Sequence, residues 1–123
     1  MGIKLCRFLP FFLWFIAILV ASFMPSQHIR SSWFLFPNED KLIHFCMYFG
    51  LSFLFVWAYT KEKKISVTFL LIVALIASLF SGCIEVLQPI LSNRTSDISD
   101  FIANSFGALF GSFFFILKCK KEL

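Results

Sequence analysis

Four long apolar runs constrain this chain more than any other feature of its sequence. They cover about residues 8–24, 41–59, 65–88 and 97–117. Hydrophobic residues make up 59% of the chain and charged residues 15%, and the mean hydropathy is +0.86. Too little polar surface is left to coat a water-soluble domain, whereas a helix of about 20 apolar residues crosses a bilayer. We therefore predict an all-α, polytopic membrane protein, in which residues 1–123 form one bundle of four transmembrane helices.

The first apolar run has the features of both a signal peptide and a membrane helix. It follows Lys4 and Arg7 and extends from Phe8 to Met24. A signal peptide has a shorter apolar region of about 7 to 15 residues, followed by a cleavage site between small residues, and no such site is evident here. We favour an uncleaved first helix.

Basic residues are unevenly shared between the two ends of the predicted helices. One side has Arg30, Lys41 and Arg94, and the other has Lys4, Arg7, Lys61, Lys63, Lys64, Lys118, Lys120 and Lys121. Cytoplasmic loops carry the excess of lysine and arginine, so a multi-pass membrane protein with both termini in the cytoplasm is predicted. The basic residues form short groups at helix ends and no patch with stacking aromatics, which argues against nucleic acid as a partner.

The four cysteines do not indicate a metal or redox site. Cys6, Cys46, Cys83 and Cys119 are widely spaced and contain no C-x-x-C pair, whereas a structural zinc site needs clustered ligands. We predict inert thiols in or beside the membrane, no metal site and no other cofactor.

Polar residues recur at helical spacing on the side predicted to face away from the cytoplasm. Pairs three or four residues apart share one helix face, as Asp40 and His44 do on the second helix and Glu85 and Gln88 on the third. The fourth helix has such a face as well. We predict that these groups share one layer and bind a ligand there. The predicted ligand-binding residues are Asp40, Lys41, His44, Glu85, Gln88, Arg94, Asp97, Asp100 and Asn104.

Ionisable residues within a membrane are candidates for function, but they can also form purely structural pairs. Glu85 is interpreted either as an ion-pair partner of Arg94 or Lys41, or as part of a binding site. For His44 three interpretations stay open: a hydrogen-bonded histidine packed among aromatic rings, a proton-handling or ligand-binding group, and a metal ligand. Whether the protein is an enzyme is left open, and a non-enzymatic role is favoured. The candidate catalytic residues are His44, Glu85 and Asp100.

Small residues continue down the fourth helix from this polar end. Ala103, Gly107 and Gly111 form a small-xxx-small row, which allows a neighbouring helix to approach closely. Gly107 and Gly111 are predicted to serve helix packing. That packing can lie inside one chain or between two copies of a homo-oligomer.

The order and spacing of these residues resemble the VanZ-like family of bacterial integral membrane proteins. The resemblance covers about residues 38–117. It rests on the pattern Asp40-Lys41-x-x-His44, then Glu85-x-x-Gln88, then Arg94-x-x-Asp97-x-x-Asp100-x-x-x-Asn104-x-x-Gly107-x-x-x-Gly111. The family takes its name from a member that lowers susceptibility to teicoplanin, a lipoglycopeptide that acts outside the cytoplasmic membrane. The resemblance therefore implies a cell-envelope role and, for some members, antibiotic resistance.

Three hypotheses follow. The first is a protein whose polar cluster binds an amphiphilic envelope molecule, such as a lipoglycopeptide or a lipid-linked precursor, with membrane lipid as a further partner. The second is a small membrane enzyme in which His44, with Glu85 or Asp100, performs acid–base chemistry on a lipid headgroup. The third is a purely structural role for the polar groups.

Overall fold

The described part of the protein consists of four α-helices. The structure is a computed structural model and describes residues 6–23, 39–60, 66–91 and 98–119. The helices are α1 (Leu9–Phe23), α2 (Glu39–Thr60), α3 (Val67–Leu91) and α4 (Ile98–Cys119), and these described segments contain no strand. The predicted all-α fold is confirmed.

Two of the described helices are long and apolar enough to cross a membrane, over Lys41–Tyr59 and Val67–Leu91. The apolar helix α1 is shorter, with 15 residues. The outward faces are also apolar, since Leu79 of α3 is 62% exposed and Ile90 is 72% exposed. An exposed surface of this kind is disfavoured in water and stable among lipid tails, which agrees with a membrane protein.

The bounds of α3 differ from the predicted range of 65–88. The helix begins later because the Ser66 side chain acts as its N-cap, accepting a hydrogen bond from the Phe69 backbone N–H at 3.1 Å. At the other end the helix continues past Gln88 to Leu91 and includes Pro89. A proline this near the end removes one backbone N–H, whose partner would be the Glu85 carbonyl, so the helix tolerates it.

Helices α2 and α4 pack against each other more closely than any other pair among the described residues. A Cβ atom added to Gly107 would overlap the backbone carbonyl of Phe45, and one added to Gly111 would overlap that of Phe49. Only glycine allows the two backbones to approach this closely. This contact fixes the register in which α4 meets α2.

Helix α1 is joined to α2 through side chains that bond to backbone carbonyls. The Trp14 indole donates to the Met47 carbonyl at 2.7 Å and packs against Gly50. Nearer the start of α1, Arg7 donates to the carbonyls of Trp57 and Ala58. The start of α1 therefore lies beside the end of α2, as expected for consecutive helices that cross a membrane in opposite directions.

Candidate functional site

One end of the bundle collects most of its buried polar side chains. Here α2 and α4 begin and α1 and α3 end, and we call it the polar end; the opposite end, where Arg7 lies, is the basic end. In a protein exposed to lipid, buried polar groups are expensive unless they bond to one another. The group that we call the polar layer comprises Lys41, His44, Ser81, Glu85, Gln88, Asp100 and Asn104, and all of it except Lys41 is buried.

An ion pair joins the first turns of α2 and α4. The Lys41 ammonium lies 2.5 Å from Asp100 Oδ1. His44, one turn further along α2, places Nε2 at 3.6 Å from the second carboxylate oxygen, Oδ2. That distance is too long for a hydrogen bond but short enough for a strong electrostatic interaction. Asp100 is therefore the charged centre of the layer, with two nitrogen-bearing groups of α2 around it.

The network continues across α4 to α3 through Asn104, which is 1% exposed. Its amide Nδ2 donates to Ser81 Oγ at 2.7 Å, which leaves Oδ1 to accept from His44 Nδ1 at 3.1 Å. In this arrangement Nδ1 carries a hydrogen. Nε2 is then the imidazole nitrogen that faces the Asp100 carboxylate.

Ser81 and Tyr48 extend the layer toward Glu85. Ser81 is one turn before Glu85 on α3, and Tyr48 is one turn after His44 on α2. The Tyr48 side chain faces both Ser81 and the Glu85 carboxylate. The sequence analysis assigned neither Ser81 nor Tyr48 to the site. Their i,i+4 spacing from Glu85 and His44 is the signal that would have identified them.

Gln88 ties α1 to the same end of the bundle. Its side-chain nitrogen donates to the Ser22 backbone carbonyl at 2.9 Å, and both residues are buried. Ser22 lies in the last turn of α1, where carbonyls lack a partner within the helix. All four helices therefore contribute to the polar end.

The structure brings together four predicted ligand-binding residues from two helices, Lys41 and His44 of α2 with Asp100 and Asn104 of α4. Glu85 and Gln88 are buried at the same end of α3. The predicted residues that lie outside the described part of the chain are Arg94, Asp97 and the side chain of Asp40. For Glu85, the predicted alternatives were an ion pair with Arg94 or Lys41 and a place in a binding site. The structure shows an ion pair of Lys41 with Asp100, and Arg94 lies outside the described residues.

Within residues 6–23, 39–60, 66–91 and 98–119, no three histidine, cysteine, aspartate or glutamate side chains are close enough to hold a metal ion. Cys6, Cys46 and Cys83 are free thiols at exposed positions. In the polar layer the Lys41 ammonium occupies one side of Asp100, and a cation there would repel a metal ion.

The polar layer is reachable from the polar end. The side chain of Lys41 is 27% exposed and that of Asp100 is 12% exposed, whereas Asn104 and Ser81 are fully enclosed below them. A ligand arriving at headgroup depth would first meet a cation and a carboxylate, with the His44 imidazole directly beneath. An ammonium bonded to a carboxylate still offers its other N–H groups to a phosphate or a second carboxylate.

The fold and the site together define a small helical membrane protein with a buried polar layer at one end. The chain belongs to the VanZ/LLP1 family, whose sequence profile matches residues 4–119. The resemblance drawn from the sequence is thereby confirmed. The chain is also 30% identical over 88 residues to the uncharacterized protein C11E3.10 of the fission yeast Schizosaccharomyces pombe, covering 71% of this chain and 52% of that protein. The chain thus spans about half the length of this curated relative. No solved structure matches this chain significantly.

Proposed function

We propose that the polar layer binds the headgroup of an amphiphilic envelope molecule while the molecule's apolar part lies along the helices. The observation that carries this is the network of Lys41 and His44 of α2, Asp100 and Asn104 of α4, and Ser81 of α3, in which Lys41 stays partly exposed. A merely structural contact is served as well by apolar side chains, so a buried ionic network is weak evidence for stability alone.

The orientation proposed for the protein places this layer away from the cytoplasm. Four membrane crossings with both termini in the cytoplasm follow from the excess of basic residues at the basic end. An amphiphile that reaches the envelope from outside, such as a lipoglycopeptide, would meet the polar layer at headgroup depth. A lipid-linked precursor displayed on the outer leaflet would do the same.

Labelling of single cysteines tests this orientation. In a chain whose native cysteines are replaced by serine, Asn93→Cys is expected to react with a membrane-impermeant maleimide in intact cells. Glu62→Cys is expected to react only after the membrane is permeabilised, because position 62 lies between Lys61 and Lys63, on the side predicted to be cytoplasmic. Labelling of both variants in detergent controls for reactivity. The reverse pattern in intact cells would contradict the orientation.

Antibiotic susceptibility tests the envelope role. Expression of the chain in a susceptible bacterium is expected to raise the inhibitory concentration of teicoplanin several-fold. The inhibitory concentration of vancomycin should change less, because this glycopeptide has no acyl chain for the helices to bind. Asp100→Asn and His44→Gln should abolish the difference at equal protein level. Identical susceptibility with and without the chain would defeat the resistance role.

A second candidate function is acid–base chemistry on a lipid headgroup. It is favoured by the position of His44 Nε2, 3.6 Å from Asp100 Oδ2, because a small shift on substrate binding would bring the two atoms within hydrogen-bond reach. Membranes containing the chain would then convert a radiolabelled phospholipid to a new product, and His44→Gln would abolish conversion without unfolding the protein. If purified protein leaves every tested phospholipid class unchanged, the binding role is the one to keep.

A further inference from the structure

A cavity of about 210 Å³ lies between α1, α2 and α3, away from the polar layer. Its walls are almost wholly apolar and include Phe11, Phe15, Leu51, Phe55, Ala77 and Phe80. An engineered apolar cavity of about 150 Å³ is large enough to bind benzene. This cavity can therefore hold several methylene groups of a hydrocarbon chain.

The cavity lies in the half of the bundle nearer the basic end. Its α3 residues run from Val73 to Phe80, which is about 9 to 20 Å from the start of a helix about 37 Å long. The lining residues of α1 and α2 indicate the same position, because they lie in the first half of α1 and the second half of α2. Buried Ile18, Tyr48 and Ile84 pack together between the cavity and the polar layer. A chain in the cavity therefore enters sideways from the membrane, from the leaflet at the basic end.

Arg7 lies four residues before Phe11, which lines the cavity, and therefore about one helical turn nearer the basic end. Its Nε donates to the Ala58 carbonyl at 3.2 Å, and its Nη2 donates to the Trp57 carbonyl at 3.0 Å. The guanidinium carbon also lies 4.2 Å from the centre of the Trp57 ring. These contacts use two of the five N–H donors of the guanidinium and hold it rigidly in place. A fixed guanidinium at headgroup depth is well suited to bind a phosphate.

We propose that the cavity holds one acyl chain of an anionic phospholipid and that Arg7 binds the phosphate of that lipid. Charge complementarity and continuity carry the proposal, since the cationic group and the apolar cavity follow each other from Arg7 to Phe11. Anionic phospholipids are concentrated in the cytoplasmic leaflet, where basic pockets between membrane helices bind their headgroups. This site is separate from the polar layer; it rests on the orientation proposed above but not on what the polar layer binds.

Ser52 provides an internal check on the chemistry of the ligand. It is 1% exposed, lines the cavity, and its hydroxyl has no hydrogen-bond partner among the described residues. A hydrocarbon chain only packs against this side chain. Ser52→Ala is therefore expected to leave lipid retention unchanged, and a loss of retention would overturn the acyl-chain assignment in favour of a ligand that bonds to the hydroxyl.

Lipid retention by the full chain tests the proposal. The protein is reconstituted into nanodiscs of equal parts phosphatidylglycerol and phosphatidylcholine, extracted in mild detergent, and its bound lipids are quantified by mass spectrometry. Wild type is expected to retain phosphatidylglycerol about tenfold over phosphatidylcholine. Both headgroups carry a phosphate, but the choline ammonium offsets the phosphate charge and weakens the attraction of that lipid to Arg7. Arg7→Gln should abolish the preference. Lys118→Gln, which also removes one positive charge, should keep it.

Further variants distinguish the contribution of the cavity to lipid retention from that of Arg7 and from that of the polar layer. Ala77→Phe fills the cavity and should lower retention of both lipids. Because this variant may not fold, wild type is also challenged with glycerol 3-phosphate, which lacks an acyl chain and should not displace the lipid. Asp100→Asn should retain the preference, so that failure of the polar layer and failure of this site are distinguishable. Equal retention of both lipids by wild type, or an unchanged preference in Arg7→Gln, would overturn the proposal.

Discussion

Replacing Gly107 with alanine is expected to lower the free energy of unfolding by about 3 kcal/mol, the upper part of the range for overpacking a tight contact. The added Cβ atom would overlap the backbone carbonyl of Phe45, and a backbone carbonyl cannot rotate away as a side chain can. To accommodate the methyl group, α4 would have to move away from α2. That movement would also separate Asp100 and Asn104 from Lys41 and His44.

Gly82→Ala is the matched control, because it makes the same substitution in a neighbouring helix. A Cβ atom at Gly82 would meet the Phe101 ring at 3.3 Å, and a ring edge can shift by a few tenths of an ångström. We expect a cost below about 1 kcal/mol. Unfolding by sodium dodecyl sulfate, followed by tryptophan fluorescence, measures both variants. Equal stability of Gly107→Ala and Gly82→Ala would show that α2 and α4 are not in backbone contact.

Replacing Asp100 with leucine is expected to lower the free energy of unfolding by about 2 kcal/mol. Breaking a buried ion pair costs about 3 to 5 kcal/mol, and the partial exposure of Lys41 reduces the penalty. The destabilisation arises mainly from the Lys41 ammonium, which keeps its charge and loses its nearest carboxylate. His44 would lose the same neighbour.

A double-mutant cycle separates that penalty from general damage to the fold. Lys41→Met in the Asp100→Leu background removes the ammonium that has lost the Asp100 carboxylate, so the double variant should recover at least half of the lost stability. If the polar groups have only a structural role, the double variant should keep wild-type activity. The binding role instead predicts a stable protein without envelope activity. Additive losses in the cycle would show that Lys41 and Asp100 do not interact.

The fold class was predictable because helices surrounded by lipid need long runs of apolar residues, which are visible in the sequence. Long apolar runs and the bases at their ends indicate helices regardless of how those helices pack. The end of α3 was less predictable, since Pro89 disfavours helical geometry before it in water and is tolerated near a helix end in a bundle. Helix spacing also indicated which face of α2 carries His44.

The pairing of side chains between helices was not predictable from the sequence. Lys41 has more than one carboxylate within plausible reach, and the register of α4 against α2 decides that Asp100 is its partner. That register depends on the contact at Gly107 and Gly111, whose depth no single-helix pattern specifies. Ser81 was not predicted to belong to the polar layer because a serine within a helix usually bonds to its own backbone. In the structure its hydroxyl oxygen accepts a hydrogen bond from Asn104.

Identification of the molecule that the polar layer retains is the most direct test of this account. The full chain is purified from its own membrane, and the amphiphiles that accompany wild type, Asp100→Asn and Arg7→Gln are identified and quantified by mass spectrometry. The account predicts a headgroup class that is bound by wild type and by Arg7→Gln and is depleted in a folded Asp100→Asn protein. The same amphiphiles in the same amounts on wild type and Asp100→Asn would contradict it.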